Sequence, residues 1–63
     1  MNERQIKAVL YVKEKGKITT SEHQELNGIS KRTAVYDLFE LVEEHKKFAQ
    51  HGSSVGTYYE LMS

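Results

Sequence analysis

Cysteine and proline are absent from this 63-residue sequence, and its nine Lys and Arg cancel its nine Asp and Glu. Without cysteine there is no disulfide framework and no thiolate metal site, and a reducing, cytoplasmic setting is expected. No apolar run approaches the roughly 18 residues of a membrane span, and the opening MNERQIK lacks the apolar core of a signal peptide. No membrane partner is expected. A chain this short buries only about 60% of its unfolded surface, which leaves no room for a second domain or a large substrate cavity. One small domain over residues 1–63 is the expectation, and a hydrophobic content of 38% suffices for a single core.

A net charge of zero argues at first against nucleic acid, whose binders carry an excess of Lys and Arg. The total conceals a gradient. Through Arg32 the chain has Arg4, Lys7, Lys13, Lys15, Lys17, Lys31 and Arg32 against Glu3, Glu14, Glu22 and Glu25, a balance of plus three. From Thr33 onward Lys46 and Lys47 stand against Asp37, Glu40, Glu43, Glu44 and Glu60, a balance of minus three. Any phosphate contact is expected from the first half. The plainer alternative is that these charges are the solvated faces of short helices.

With no proline, the punctuation comes from four glycines and a few capping residues. Asn2 and Gln5 have capping-box spacing, and Gly16 is a stop, so a first helix is expected over about Glu3 to Lys15. Ile6, Val9, Leu10 and Lys13 share one face of it, while Ala8, Tyr11 and Val12 lie round the other side. A 63-residue domain has too little interior to cover both faces, so Tyr11 lies flat on the surface or faces a partner.

Lys17-Ile18-Thr19 is long enough only for a small strand. Thr20 or Ser21 then caps a second helix reaching about Leu26. Asn27-Gly28 is a turn in which both residues accept positive φ, and Ile29 is expected to plug the core. Ser30 caps a third helix over about residues 31–44. Its Ala34, Leu38, Leu41 and Val42 fall within roughly a quarter turn and face inward. His45, at the end, is a candidate for positive φ.

The tail FAQHGSSVGTYYEL has the pattern of a hairpin, with strands over Phe48 to His51 and Thr57 to Leu61 and a loop over Gly52 to Gly56. Period-two alternation makes Tyr59 and Leu61 the core choices. The class is therefore α+β, and the order of helix, short strand, helix, turn, helix and hairpin is that of a winged helix-turn-helix.

No convergent reactive set is spelled. There is no nucleophile elbow and no glycine-rich phosphate cradle. His23, His45 and His51 have the spacing of ordinary surface or cap histidines rather than of a metal site. Neither an enzyme, a metal nor a cofactor is expected.

Three stretches in this order, NERQIKAVLYVKEKGKIT, GISKRTAVYDLFELV and GTYYEL, make the whole chain resemble the small winged-helix domain at the C-terminal end of Fic-family proteins. The same module occurs in bacterial proteins described as RecG-like helicases or AlbA-type transcriptional regulators. The resemblance implies a C-terminal module of a longer protein, a recognition helix over about residues 31–44, and a wing tipped by Ser53, Ser54 and Val55. It also implies that Ser30, Lys31, Arg32 and Thr33, with Tyr36 behind them, meet double-stranded DNA. Free N–H groups and the helix dipole favour phosphate at such a helix start, and an arginine offers a bidentate pair to guanine. This chain departs from the family at Val35, Tyr36 and Phe39, where relatives tend to be polar or basic, and in a wing without a basic residue. DNA binding by the domain alone is accordingly expected to be weak.

Two functions follow. The first is the DNA-binding domain of a bacterial transcriptional regulator. The second is a protein-interaction or dimerisation module on the same scaffold, using Tyr36, Phe39 and Tyr11. The separating feature is the outward stripe of Arg32, Tyr36, Phe39 and Glu43, at intervals of four, three and four. Val35 borders the core. The rings of Tyr36 and Phe39 either pack on the wing strands, touch a groove of DNA, or form an exposed patch for a second copy or a neighbouring domain.

Overall fold

The computed structural model describes residues 1–53 and 56–62. Three helices, α1 (Glu3–Lys15), α2 (Thr20–Asn27) and α3 (Lys31–Glu43), precede an antiparallel hairpin of β1 (Phe48–Ser53) and β2 (Gly56–Leu61). This α+β arrangement is compatible with a winged helix-turn-helix.

Each helix begins on a side-chain cap. At α1 the Asn2 side chain accepts from the Gln5 N–H and Gln5 returns a bond to the Asn2 N–H, at 2.8 and 2.9 Å. At α2 Thr19 and Glu22 form the same reciprocal pair, so the cap is Thr19 rather than Thr20 or Ser21. The box wins because it satisfies two orphan donors at once. Ser30 caps α3 by accepting from the Thr33 N–H.

The turn between α2 and α3 is Gly28-Ile29-Ser30. Gly28 alone takes the left-handed conformation, at φ 60° and ψ 44°, while Asn27 remains the last helical residue. Ile29 is half-buried and stands outside the core cluster, and its N–H closes the turn on the Gln24 carbonyl. At the end of α3 the positive φ falls on Lys46, at 55°, and not on His45. The Glu44 and His45 N–H groups both still bond to Glu40, which delays the reversal by one residue.

The expected short strand is a single bridge. Ile18 and Tyr59 exchange both backbone hydrogen bonds, at 2.9 and 2.8 Å, which ties the α1–α2 connection to β2. The strands run further than their alternation suggested, with Gly52 opposite Thr57 and Ser53 opposite Gly56. Gly52 has φ 130°, and a Cβ there would collide with the Gly56 carbonyl oxygen and the Thr57 Cα. Of the expected wing residues, Ser53 ends β1, and Ser54 and Val55 lie outside the described residues.

The core gathers Ala8 and Val12 of α1, Ile18, Leu38 and Leu41 of α3, and Phe48 and Tyr59 of the hairpin. Ala34 is buried as expected, whereas Val42 is only half-buried. Leu61, expected inside, is 36% exposed: it pairs with Phe48 at the open end of the hairpin, where Phe48 takes the interior position. The α1 face turned to the core carries Ala8 and Val12, so Ile6 and Leu10 stand outside.

Candidate nucleic-acid interface

The middle of α3 is tied to α1 and α2 by a buried polar cluster that joins all three helices. Its centre is Asp37 of α3, only 2% exposed. Arg4 of α1 donates to its carboxylate from Nε at 2.7 Å and from Nη2 at 3.0 Å. The Asn2 amide donates at 3.2 Å, and His23 Nε2 of α2 lies 3.0 Å away. His23 is fully buried. Its other nitrogen, Nδ1, faces the Asn27 amide nitrogen at 3.1 Å. An acceptor at Nδ1 and a donor at Nε2 together select the neutral Nε2–H tautomer. Gln5, also buried, donates to the Asp37 carbonyl at 3.2 Å and to Glu40 at 2.9 Å.

Burial pushes the Asp37 carboxyl upward. Hydrogen bonds from Arg4, His23 and Asn2, together with the charge of Arg4, overcome that, and the group lies below its ordinary value. No buried side-chain nitrogen or oxygen among the described residues lacks a partner. The cluster is therefore a satisfied network that ties α1 and α2 to α3, not an open reactive site.

His23 was expected among surface or cap histidines, yet it is the most enclosed titratable side chain of the cluster. A signal was present: Asp37 lies three residues after Ala34 and four before Leu41, on the flank of the inward seam, where a carboxylate requires partners. Arg4, one of the basic residues of the first half, is occupied by Asp37 rather than open to phosphate.

Of the expected DNA-contact residues, Ser30, Lys31, Arg32 and Thr33 fall together at the first turn of α3, and Tyr36 lies a turn further on. Ser30 and Thr33 join their hydroxyls at 3.1 Å and complete the cap. Lys31 and Arg32 are exposed, and among the described residues neither makes an ion pair or a side-chain hydrogen bond. Lys17, another basic residue of the first half, has its Nζ 4.9 Å from the centre of the Tyr58 ring, on which His51 also stacks. His51 in turn lies 3.1 Å from Glu60. Two cations beside the free N–H groups of a helix start can accept phosphate or a base edge.

Further along α3 the chemistry changes. Tyr36 is 59% exposed and Phe39 58%, so neither ring is enclosed by the described residues. Val35, placed on the border of the core, is exposed as well. Tyr11 of α1 is half-buried against the core and donates to Glu22 at 3.2 Å. Burial and the Glu22 carboxylate hold its phenol above the ordinary range. A second apolar surface, a groove of about 600 Å³, runs between α1 and the C-terminal end, with Ile6, Leu10 and Met62 in it and Lys13, Lys46 and Lys47 along it.

Among the described residues no group of His, Asp and Glu is arranged to hold a metal ion, and no helix is long and apolar enough to cross a membrane. No protein-family model, curated protein or solved structure matches the chain, so its functional reading rests on the geometry of α3 and on the sequence.

Proposed function

We propose that the chain is a DNA-binding winged-helix module of a bacterial transcriptional regulator, with α3 as its recognition helix. The observation that carries this reading is the first turn of α3. Lys31 and Arg32 stand exposed and unpaired among the described residues, on a helix start that Ser30 caps, while Asp37 further along ties the same helix to α2. In this reading Arg32 meets a base edge, while Lys31 and the free N–H groups meet phosphate. Catalysis and a cofactor form no part of it.

Binding to duplex by the isolated domain is weak and falls steeply between low and physiological salt, because a few Lys and Arg contacts act mainly by releasing counterions. The test is an NMR titration with duplex DNA at low salt. The Ser30 to Thr33 amides should shift, and Arg32→Ala should cost about 1–3 kcal/mol and relax preference at one base position. Silence of those amides would remove the DNA reading.

A second reading, a protein-interaction module, is favoured by the exposure of Tyr36 and Phe39 in the middle of the same helix. Single exposed apolar residues are routine, but two aromatic rings in succession on one face suggest a contact surface.

A further inference from the structure

The outward stripe of α3 is symmetric in a way that neither reading uses. Arg32, Tyr36, Phe39 and Glu43 are all exposed, and their spacing of four, three and four is the same from either end. Laying a second α3 antiparallel on the first brings each Arg32 opposite the other copy's Glu43, and each Tyr36 opposite the other copy's Phe39. The two rings of each copy then meet at the centre, flanked by an opposite-charge pair on either side. This is the alternating packing by which antiparallel helices interlock their seams.

We propose that this stripe is a self-recognition surface, on which a second copy of the chain docks antiparallel about a two-fold axis. The proposal rests on the protein-interaction reading of Tyr36 and Phe39 and names the partner. Charge complementarity selects the stripe. A two-fold contact places a patch against itself, and the groove beside α1 would then set Lys13, Lys46 and Lys47 against their own copies. The α3 stripe instead sets arginine against glutamate twice. Both charges are free to pair, since among the described residues neither Arg32 nor Glu43 makes an ion pair.

Four side chains from each copy fall well short of the roughly 800 Å² per partner that a stable interface of standard size buries. The dimer is therefore weak and concentration-dependent. Arg32 serves both the dimer and the proposed DNA contact, so one copy cannot use it for both at once. Self-association thus withdraws the recognition helix from DNA.

Charge exchange tests the geometry. Sedimentation equilibrium from about 10 µM to about 1 mM should show the native chain approaching dimer mass. Arg32→Glu alone and Glu43→Arg alone each place like charges at both ends, and each should weaken association roughly tenfold or more. An equimolar mixture of these two variants should associate again, because every charged contact across the mixed pair is then opposite. The chain carrying both substitutions should also recover. Tyr36→Ser with Phe39→Ser should stay folded by circular dichroism and remain monomeric. A native chain that is monomeric throughout this range overturns the proposal. Association that survives both single charge reversals overturns the antiparallel pairing while leaving the aromatic face an interface. Association that survives loss of both rings overturns the proposal and the interaction reading together.

Discussion

The hairpin's inner face and the outward face of α3 each carry one phenylalanine and one tyrosine, and the fold treats them in opposite ways. Phe48 and Tyr59 lie 6.4 Å apart between ring centroids, Phe48 fully buried and Tyr59 nearly so. Phe39 and Tyr36 keep more than half of their surface in solvent. Between those two exposed rings in the chain stands Asp37, a carboxylate, almost completely enclosed. Residue type does not decide burial here; position on the helix and the availability of partners do. α3 has one interior face, already filled by Ala34, Leu38 and Leu41. Asp37 sits at its flank because Arg4, His23 and Asn2 replace the hydrogen bonds that water would supply.

The two phenylalanines provide the widest separation. Phe48→Ala removes a fully buried ring, and a loss of about 3–5 kcal/mol is expected from transfer and cavity terms. For a domain of this size that is a large part of the whole stability. Phe39→Ala should change stability by no more than about 0.5 kcal/mol. Urea unfolding of both variants measures the difference. Equal losses would mean that Phe39 is covered in solution, and the contrast between the two faces would disappear.

Adjacent residues provide a narrower comparison. Asp37→Ala leaves the buried His23 Nε2–H without its acceptor and frees Arg4 and Asn2, and should cost roughly 3 kcal/mol. Tyr36→Ser, one position earlier, should be close to neutral. Thermal unfolding monitored by circular dichroism separates them. A nearly neutral Asp37→Ala would show that the cluster contributes geometry rather than stability.

How much of this was legible follows from the kind of signal each part leaves. The helices were visible because caps and periodicity act locally: Asn2 with Gln5, Ser30, and Gly28 mark ends that tertiary packing did not move. The exposure of Tyr36 and Phe39 followed from the inward seam by subtraction. Which face of α1 packs inward was not legible, since Ile6 with Leu10 and Ala8 with Val12 both satisfy the helical period. Phe48 and Leu61 lie opposite each other at the same end of the hairpin, and which of the two is enclosed depends on how the helices cover that end, which alternation does not encode. The position of Asp37 beside the inward seam says that it needs partners, but no local pattern names Asn2, Arg4 and His23, which come from elsewhere in the chain. Ser30 to Thr33 form the capped start of α3 as their local pattern implies, while the Asp37 network in the middle of the same helix is not spelled locally.

Acid offers the finest test of the same contrast, because it acts on the enclosed side chain of α3 and leaves the exposed rings unchanged. The Asp37 carboxyl is pushed up by burial but pulled further down by its bonds to Arg4, His23 and Asn2, so the folded chain releases its proton more readily than the ordinary aspartate value of 3.8. The unfolded chain has no such cluster and titrates near 3.9. Above that value both states are ionised and the full contribution of the cluster is present. As pH falls through the unfolded value, the unfolded chain gains a proton that the folded chain refuses, and stability declines until the lower, folded value is passed. The loss attributable to Asp37 should therefore begin near pH 4 and grow below it. Urea midpoints of the native chain and of Asp37→Asn, measured from pH 6 downward, should draw together in that acid range. The Asp37 side-chain carbonyl carbon, followed by NMR in the native chain, should titrate with a midpoint below 3.8. A midpoint above that value would mean that burial outweighs the hydrogen bonds, and Asp37 would then be a tolerated cost of the fold rather than the tie that positions α3.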